Sequence, residues 1–587
     1  MQKVADLLFQ PDLMKKQNIL NYKANKQWIS FSGRDFYSNV FRLAEFLLQK
    51  GLQKGDKVLL ISENRPEWNF ADYASQLIGV ITVPVFPNIS EHDLQFILND
   101  AQPKFLFVSN EKLFKRYQNI FTQHFQNNIL SFSEIHNIKY LYNEINNIQL
   151  NDIEEKIKSI YNTIKPSDWL TILYTSGTSG NPKGVILTHS NLVSNILNCQ
   201  HIAPFQTHWK ALSFLPLNHV YERMVNSLLL YKLVSIYYAE GVETVVQNIQ
   251  EIKPHLFVSV PRLLERVYQK IIFTRDEMKG LKKHILSWAI QLAEQYELHR
   301  KNGWWYEFQR SIADKLVYKK WRNALGGNLQ CMISGGAALN PKMERMFLCA
   351  KINCMQGYGL TETSPVVSVN EFSDKGKCIG TVGKVIPNTQ VKIAEDGEIL
   401  VKGPGVMVGY FNNEHATKEA IDEEGWFHTG DIGEFVDGVF LKITDRKKEI
   451  FKTSSGKYIS PAYIENKLKE SPLIEHAMVI GANEKFPSAL ITLNIQNIHQ
   501  KFPEKKHLKL KELSSDKNIQ SHLHQFIHQV NKELAPYEQI RNPHILDTTW
   551  SVETGELTPK MSLKRKFIIQ KYQHIIDKIY RKDESAE

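Results

Sequence analysis

With 587 residues, the chain is well beyond the size at which one hydrophobic core stops growing, so at least two domains are expected. Its 72 Lys and Arg residues against 62 Asp and Glu residues give a net charge of +10, which favours anionic partners such as nucleotides, phosphates or a lipid surface. Five cysteines without a C-x-x-C pair argue against a zinc site or a disulfide framework. The sequence shows neither a signal-peptide core nor eighteen consecutive apolar residues. A cytoplasmic protein is therefore expected.

Helical and strand patterns alternate along the N-terminal part. Apolar residues at helical spacing predict helices over 32–50 and 70–78, and short apolar runs predict strands over 58–61 and 80–85. Strands separated by helices of this length indicate βαβ units and a mostly parallel sheet.

A glycine-rich stretch over 174–184 follows an apolar run and precedes another, and seven of its eleven residues are Gly, Ser or Thr. Such a backbone can turn sharply and direct its N–H groups at one point, and Lys183 adds a cation, so the stretch predicts a polyphosphate grip. It matches neither the Walker A pattern nor G-x-G-x-x-G, and a solvated turn between strands is the alternative. The candidate phosphate-binding residues are Thr175, Ser176, Gly177, Thr178, Ser179, Gly180 and Lys183.

The middle of the chain is largely helical. His219, within 215–223, is either a core residue or part of the lining of a substrate pocket. Further on, an apolar stripe at helical spacing is interpreted as core, with a lipid-facing surface that includes Trp304 and Trp305 as the alternative. The stripe consists of Leu281, Ile285, Trp288, Leu292 and Tyr296.

Two more glycine-rich turns follow. In the first, Gly336 and Ala337 carry nothing larger than a methyl group, so the backbone can lie close to a flat ligand. The second, over 356–363, combines residues suited to a nucleotide: Tyr358 can stack on a base, Thr361 can donate to a phosphate and Glu362 can hold Mg²⁺. Gly357 and Gly359 flank the tyrosine.

Two later motifs complete the set. Asp431 offers acceptors for a ribose diol, and Arg446 offers a planar donor fork for the same group or for a phosphate. Beyond Lys448 the pattern changes to a helix starting near Ser460 and strands over 477–480 and 490–493, which predicts a small α+β domain.

Taken together, residues 22–566 resemble the AMP-forming acyl-adenylate ligases, and within them the long-chain fatty acid–CoA ligases. The resemblance implies an α/β fold: a large N-terminal domain of mostly parallel sheets flanked by helices over 1–446, and a small mobile α+β domain over 447–587, with a hinge near Lys448. The motifs that carry it, in the family's order, lie at 174–184, 215–223, 334–339, 356–363, 427–431 and 445–457, with a helical insertion over 262–325.

The resemblance also implies a reaction in two steps. A fatty carboxylate attacks the α-phosphorus of ATP with Mg²⁺ to give acyl-AMP and pyrophosphate, and the thiol of coenzyme A then displaces AMP; no nucleic acid takes part. The implied roles are Thr175 to Lys183 for the β- and γ-phosphates, Thr175 and Glu362 for Mg²⁺, Thr361 for the α-phosphate, Tyr358 with Gly336 and Ala337 for adenine, Asp431 with Arg446 for ribose, and His219 for the acyl entrance.

One position departs from the family. Its adenylation lysine precedes an arginine by three residues, and counted from Arg565 that position holds Ser562. Lys560 and Lys564 lie on either side of it, and Lys564 is the favoured substitute.

Three questions stay open at this point. An acyl-AMP ligase that serves a carrier-protein thiol, or a homologue that binds nucleotide without adenylation, fits the same motifs. The basic charge and an apolar substrate allow peripheral contact with the inner face of the membrane. Acyl chain length and oligomeric state are not encoded in any local pattern.

Overall fold

The computed structural model describes residues 1–175, 181–558 and 561–584, except for the side chains of Val242 and of 581–584. It confirms the α/β fold, with a large N-terminal part built on two sheets and a smaller C-terminal part with its own sheet. No helix in the described ranges is long and apolar enough to cross a membrane.

The strands fall into four sheets. In chain order they are β1 (Leu20–Ala24), β2 (Gln27–Phe31), β3 (Lys57–Ile61), β4 (Ile81–Val85), β5 (Phe105–Val108), β6 (Ile129–Ser131), β7 (Lys139–Tyr140), β8 (Trp169–Thr175), β9 (Lys183–Thr188), β10 (Lys210–Ser213), β11 (Ser235–Tyr238), β12 (Leu256–Ser259), β13 (Cys331–Ser334), β14 (Cys354–Gly359), β15 (Val366–Val369), β16 (Lys384–Val385), β17 (Gln390–Ile393), β18 (Glu398–Lys402), β19 (Gly409–Tyr410), β20 (Phe427–Val436), β21 (Phe440–Arg446), β22 (Phe451–Lys452), β23 (Tyr458–Ile459), β24 (Ile474–Ile480), β25 (Ser488–Leu493) and β26 (His544–Ile545).

The α-helices cover the sheets and connect their strands. In chain order they are α1 (Gly33–Gln49), α2 (Pro66–Leu77), α3 (Glu91–Ala101), α4 (Glu111–Arg116), α5 (Gln118–Phe125), α6 (Leu141–Ile145), α7 (Leu150–Asn162), α8 (His189–Cys199), α9 (Val220–Tyr231), α10 (Val245–Ile252), α11 (Pro261–Glu277), α12 (Gly280–Glu294), α13 (Gly303–Ala313), α14 (Lys319–Ala324), α15 (Pro341–Cys349), α16 (Glu414–Ala420), α17 (Pro461–Leu468), α18 (Ile495–Lys501), α19 (Leu510–Ser515), α20 (Lys517–Lys532) and α21 (Arg565–Glu584).

The larger sheet has 13 strands in the order β17-β18-β20-β21-β16-β15-β14-β13-β12-β10-β11-β1-β2. Its centre, from β14 to β1, is parallel, whereas the strands beyond β14 pair antiparallel. In the second sheet, of 8 strands, β9 pairs antiparallel with both of its neighbours, β19 and β8, and the remaining pairs are parallel. The parallel centres of both sheets confirm the predicted βαβ arrangement. The antiparallel strands at the sheet ends were not predicted, because they carry no βαβ pattern in the sequence.

Local sequence signals place the first helices correctly. Helix α1 begins after Ser32, whose Oγ accepts a hydrogen bond from the backbone N–H of Asp35, as expected of an N-cap. The apolar stripe of the central helices is core in part: Leu292 and Tyr296 are buried, but Leu281 is 75% exposed. Leu281 lies in the first turn of α12, beyond the reach of the core, so the prediction that the whole stripe is core was wrong at this end.

A buried ion pair joins helices α2 and α9. Nη2 and Nε of Arg223 lie 2.5 and 3.1 Å from the two carboxylate oxygens of Asp72, and both side chains are 2% exposed. Burial raises the pKa of Asp72, and the guanidinium of Arg223 opposes that shift. The pair fixes α9, the helix that follows His219, against the N-terminal part of the chain.

The Asp72→Ala variant should lower the free energy of unfolding by about 3–5 kcal/mol, because it leaves the guanidinium of Arg223 buried without its counter-charge. The exposed pair between Lys15 and Asp12, 2.8 Å apart, provides a matched control, and Asp12→Ala should change stability by about 1 kcal/mol or less. Urea unfolding of both variants measures the difference. Equal midpoints would contradict a stabilising role for the buried pair.

The C-terminal part packs on α11 and on the start of α15 through a few contacts. Nη1 of Arg262 donates to the carbonyl of Glu475 at 2.9 Å, and the side-chain amide of Asn340 donates to Glu470 at 2.6 Å. Phe273 is buried among the apolar residues of the C-terminal core. The division at 446 and 447 remains a prediction.

Candidate active site

The loops after the parallel strands of the large sheet meet at one edge, because parallel strands all end on the same side. Ser334 at the end of β13 is in register with Gln356 of β14 and with Ser259 of β12. Gly336 and Ala337, which follow β13, are exposed at this edge, and Gly336 has a φ of +80°, a left-handed conformation that favours glycine. Gly336 and Ala337 are thus placed where a planar ligand could lie.

Gly335 has a different role from its neighbour. A Cβ at this position would lie 3.2 Å from the ring of Tyr221, so the missing side chain makes room for that ring. Tyr221 in turn donates its hydroxyl to the carbonyl of Ile333 at 3.2 Å. The first glycine of the turn therefore serves packing.

A chain of polar contacts connects Tyr358, Asp431 and Arg446. The hydroxyl of Tyr358 donates to Oδ2 of Asp431 at 2.7 Å, and Nε of Arg446 lies 3.2 Å from Oδ1 of the same carboxylate. Asp431 and Arg446 face each other in the β20–β21 ladder, which sets this pairing. Burial raises the pKa of Asp431, with Arg446 opposing the shift, and burial together with the Asp431 carboxylate raises the pKa of Tyr358. Tyr358, one of the predicted adenine residues, is therefore in contact with Asp431 of the predicted ribose pair.

Tyr410 connects the predicted phosphate and metal residues. Its hydroxyl donates to Oε1 of Glu362 at 3.0 Å, and Nζ of Lys183 lies 4.8 Å from the centre of its ring, within the range of a cation–π contact. Burial and the carboxylate of Glu362 raise the pKa of Tyr410. Thr361, the residue before Glu362, is buried at the start of the same turn.

The glycine-rich stretch is described at its two ends. Thr175 ends β8 and is paired with Lys183, the first residue of β9, so the two strands form a hairpin stem. That stem contacts the turn of Thr361 and Glu362. The other predicted phosphate residues, Ser176, Gly177, Thr178, Ser179 and Gly180, lie outside the described ranges.

His219 stands at the beginning of helix α9. Its Nδ1 accepts a hydrogen bond from the backbone N–H of Tyr221 at 3.1 Å, so it caps the helix, and it is half-buried. It lies beyond the carboxyl end of β10, on the same edge of the sheet as Gly336 and Tyr358. A structural function as a cap is thus established, and contact with an acyl group remains a prediction.

The basic C-terminal segment is anchored by Arg565. Its guanidinium donates to Glu449 at 2.9 Å and to Glu465 at 2.6 Å. Burial alone would lower the pKa of Arg565, but these two carboxylates raise it, and the net shift is upward. The residue before it, Lys564, is exposed, and Lys560 lies outside the described ranges. The backbone N–H of Glu449 donates to the carbonyl of Arg446 at 2.9 Å, so the anchor lies next to the predicted ribose residues.

Two residues of this arrangement are absent from the predicted set. Tyr410 follows a glycine in a stretch without a distinctive composition, and its contacts reach residues 48 positions away, so no local pattern indicates it. Glu449 closely follows Arg446, but its partner Arg565 is 116 positions further on.

Replacing Tyr410 by Phe should raise the KM for ATP by roughly 3–10-fold, because the hydroxyl that orients the Glu362 carboxylate is lost while the ring beneath Lys183 stays. Steady-state pyrophosphate release against ATP concentration measures this. Tyr537→Phe, on an exposed tyrosine of the C-terminal part, is the control, and it should leave the KM unchanged. Equal KM values for wild type and Tyr410→Phe would contradict the role of this hydroxyl.

The fold and the contacts at this edge are those of an adenylate-forming enzyme. The chain belongs to the AMP-binding enzyme family, whose model matches residues 14–411, and the model of the AMP-binding enzyme C-terminal domain matches residues 448–584. The first match covers Lys183, Gly336, Tyr358, Glu362 and Tyr410, and the second covers Glu449 and Arg565, whereas Asp431 and Arg446 lie between the two matches.

Curated relatives extend over nearly the whole chain. The long-chain-fatty-acid–CoA ligase FadD15 of Mycobacterium bovis is 32% identical over 568 residues, covering 95% of this chain and 93% of its own. The peroxisomal long chain acyl-CoA synthetase 6 of Arabidopsis thaliana is 30% identical over 587 residues, covering 92% and 80%.

Solved structures agree with the fold at lower identity. The adenylation domain of the carboxylate reductase from Mycobacterium chelonae superposes with a TM-score of 0.75 at 18% identity, covering 98% of this chain and 93% of its own. ATP-bound MatB from Rhodopseudomonas palustris gives a TM-score of 0.69 at 19% identity, covering 98% and 99%. At such identities the similarity establishes the fold alone.

Proposed function

We propose that this enzyme activates a long-chain fatty acid with ATP to give acyl-AMP and pyrophosphate, and then transfers the acyl group to coenzyme A. The observation that carries the proposal is the arrangement around residues 358–362. Tyr358 contacts the ribose pair Asp431 and Arg446, while Glu362 contacts Tyr410 and, through it, Lys183. One short stretch thus joins the groups suited to the sugar and to the phosphates.

The residues present suit a Mg²⁺ ion held together with phosphates. Mg²⁺ usually takes one or two carboxylates and completes its octahedron with phosphate oxygens and water. Glu362 uses Oε1 to accept from Tyr410, and its Oε2 has no hydrogen-bond partner among the described residues. The hydroxyl of Thr175, at the end of β8, is a second oxygen donor, and the ion when bound would neutralise phosphate charge.

In the adenylation step a carboxylate oxygen of the fatty acid attacks the α-phosphorus of ATP, and the bond from that phosphorus to the bridging oxygen of pyrophosphate breaks. A carboxylate is a weak nucleophile, so positioning and charge stabilisation carry the rate. We assign Thr361 to the α-phosphate, Lys183 to the departing pyrophosphate, and Asp431 with Arg446 to the ribose. Tyr358, Gly336 and Ala337 would hold the adenine.

In the second step the thiol of coenzyme A attacks the acyl carbonyl, the thioester forms and AMP leaves with the electron pair of the acyl–oxygen bond. The curated relatives named as long-chain fatty acid–CoA ligases or synthetases support coenzyme A as the acceptor and a long chain as the acyl group. His219, beside the edge that carries Gly336, would lie at the acyl entrance.

We also propose that the C-terminal domain turns about a hinge near Lys448 between the two steps. Its described contacts with α11 and α15 are mainly polar, and polar interfaces of this kind exchange more readily than apolar ones. Lys448 is exposed and is the second residue after β21, the strand that ends with Arg446. Lys564, beside the Arg565 anchor, would then reach the acyl oxygen during adenylation.

Exchange of labelled pyrophosphate into ATP tests the first step. The proposal expects exchange that requires Mg²⁺ and is stimulated by a long-chain fatty acid, in the absence of coenzyme A. Absence of stimulated exchange would leave a protein that binds nucleotide without adenylation. If exchange occurs but added coenzyme A produces no thioester, a carrier-protein thiol becomes the acceptor to test.

A further inference from the structure

Exposed apolar side chains form a band along the outer face of α13 and of the π-helical turn that follows it. Trp304, Trp305 and Phe308 are 80%, 57% and 52% exposed, and Ile312 and Leu316 are 40% and 45% exposed. Residues four apart lie on one face of a helix, so Trp304, Phe308, Ile312 and Leu316 line up and Trp305 lies beside them. These five residues are called the aromatic band below.

The opposite face of the same segment fastens it to the protein. The hydroxyl of Tyr306 donates to the carbonyl of Leu292 at 2.5 Å, and that of Tyr318 donates to the carbonyl of Ala289 at 2.7 Å. Ala313, between them, is fully buried. The helix therefore keeps its position without the aromatic band, whose side chains are available for another contact.

The three aromatic rings form a continuous surface. The rings of Trp305 and Phe308 are stacked at 5.5 Å, and those of Trp304 and Trp305 meet edge to face at 5.7 Å. Contiguous exposed apolar patches of this kind mark protein or membrane contacts, and Trp and Phe on one helix face with Lys nearby are typical of helices that lie at a membrane interface.

The charges around the aromatic band are positive. Lys315, Lys319 and Lys320 are exposed and, among the described residues, make no ion pair. The two acidic residues of the segment are already neutralised: Glu307 pairs with Arg310 at 3.2 Å, and Asp314 pairs with Arg322 at 2.5 Å. A surface that approaches the aromatic band therefore meets uncompensated lysines.

We propose that the aromatic band and its three lysines bind the surface of an anionic lipid bilayer. The rings would enter the boundary between headgroups and acyl chains, and the lysines would lie against the anionic headgroups. A second copy of the chain is the less favoured occupant, because a twofold contact centred on the band brings the same lysines together. The surface is independent of the nucleotide chemistry proposed above, although it would place the enzyme beside membrane-dissolved fatty acids.

Flotation of the full-length protein with vesicles tests the surface. Vesicles of phosphatidylglycerol and phosphatidylcholine should carry the protein at low salt, and binding should fall at high salt or with pure phosphatidylcholine. The triple variant Trp304→Ser, Trp305→Ser, Phe308→Ser and the triple variant Lys315→Glu, Lys319→Glu, Lys320→Glu should each weaken binding by about tenfold or more. Pyrophosphate release with a detergent-dispersed long-chain acid in the absence of vesicles should stay unchanged, which shows that the variants are folded.

Control variants make the same kinds of substitution at exposed positions away from the aromatic band. Lys112→Glu, Lys511→Glu, Lys517→Glu changes the net charge equally, and Val246→Ser with Tyr537→Ser removes exposed apolar groups; neither should lower binding as much. Brominated acyl chains should quench tryptophan emission in the wild type but much less in Trp304→Phe, Trp305→Phe. Equal vesicle binding by the wild type and all variants overturns the proposal. So does a second result: the wild type is a dimer, the triple serine variant is a monomer, and both bind vesicles equally.

Discussion

The Glu362→Gln variant is expected to lower fatty-acid-stimulated exchange of pyrophosphate into ATP by about 10²–10³-fold, because a neutral amide would hold Mg²⁺ more weakly than the carboxylate does. The change keeps the size of the side chain and its acceptor oxygen for Tyr410, and the backbone carbonyl of Glu362 still accepts from Met407. The variant should therefore fold normally, and thermal unfolding should be close to that of the wild type.

A surface carboxylate provides the control for this loss. Glu434 forms an exposed pair with Lys442 at 2.8 Å on the same β20–β21 ladder, and Glu434→Gln should leave the exchange rate unchanged. Titration of Mg²⁺ separates binding from chemistry: raising its concentration should recover part of the rate in Glu362→Gln. A variant with wild-type exchange at low Mg²⁺ would show that Glu362 does not hold the metal.

The Lys564→Ala variant is expected to reduce pyrophosphate release by about 10²-fold or more, since a cation near the acyl oxygen stabilises the charge that develops during adenylation. Thioester formation from supplied acyl-AMP should persist, because that step does not require the same lysine. Lys560→Ala should have a smaller effect, and Lys566→Ala, an exposed lysine just beyond the Arg565 anchor, is the matched control.

The serine at the family's lysine position gives a complementary test. Ser562→Lys places a cation three residues before Arg565, and it should restore much of the activity that Lys564→Ala loses. Full activity of both single alanine variants would contradict a role for either lysine. A loss in Lys560→Ala alone would reassign the role to that residue.

Much of the fold follows from local patterns in the sequence. The helix periodicity of α1 and the apolar runs of β3 and β4 all lie within short stretches, and each of these elements appears where expected. The antiparallel ends of both sheets do not follow, because the βαβ pattern indicates only parallel pairs, whereas neighbouring strands such as β20 and β21 pair directly as hairpins. Leu281 shows a further limit, since periodicity does not reveal where a helix leaves the core.

The site was predictable as a set of motifs but not as a network. Asp431 and Tyr358 were each predicted as nucleotide residues from local composition, yet the hydrogen bond between them joins residues 73 positions apart. Tyr410 was missed because its function depends entirely on where the fold places it, beside Glu362 and Lys183. Residue types indicate the chemistry, whereas the pairing of β20 with β21 and of β19 with β9 brings the groups together.

Release of AMP as a function of coenzyme A, measured across fatty acids from short to very long, tests the proposed function most directly. We expect AMP and acyl-CoA to form in equal amounts, with a requirement for ATP, Mg²⁺, coenzyme A and a long-chain acid. Absence of AMP release with every acid, under conditions in which the protein is folded and binds ATP, would contradict the proposal.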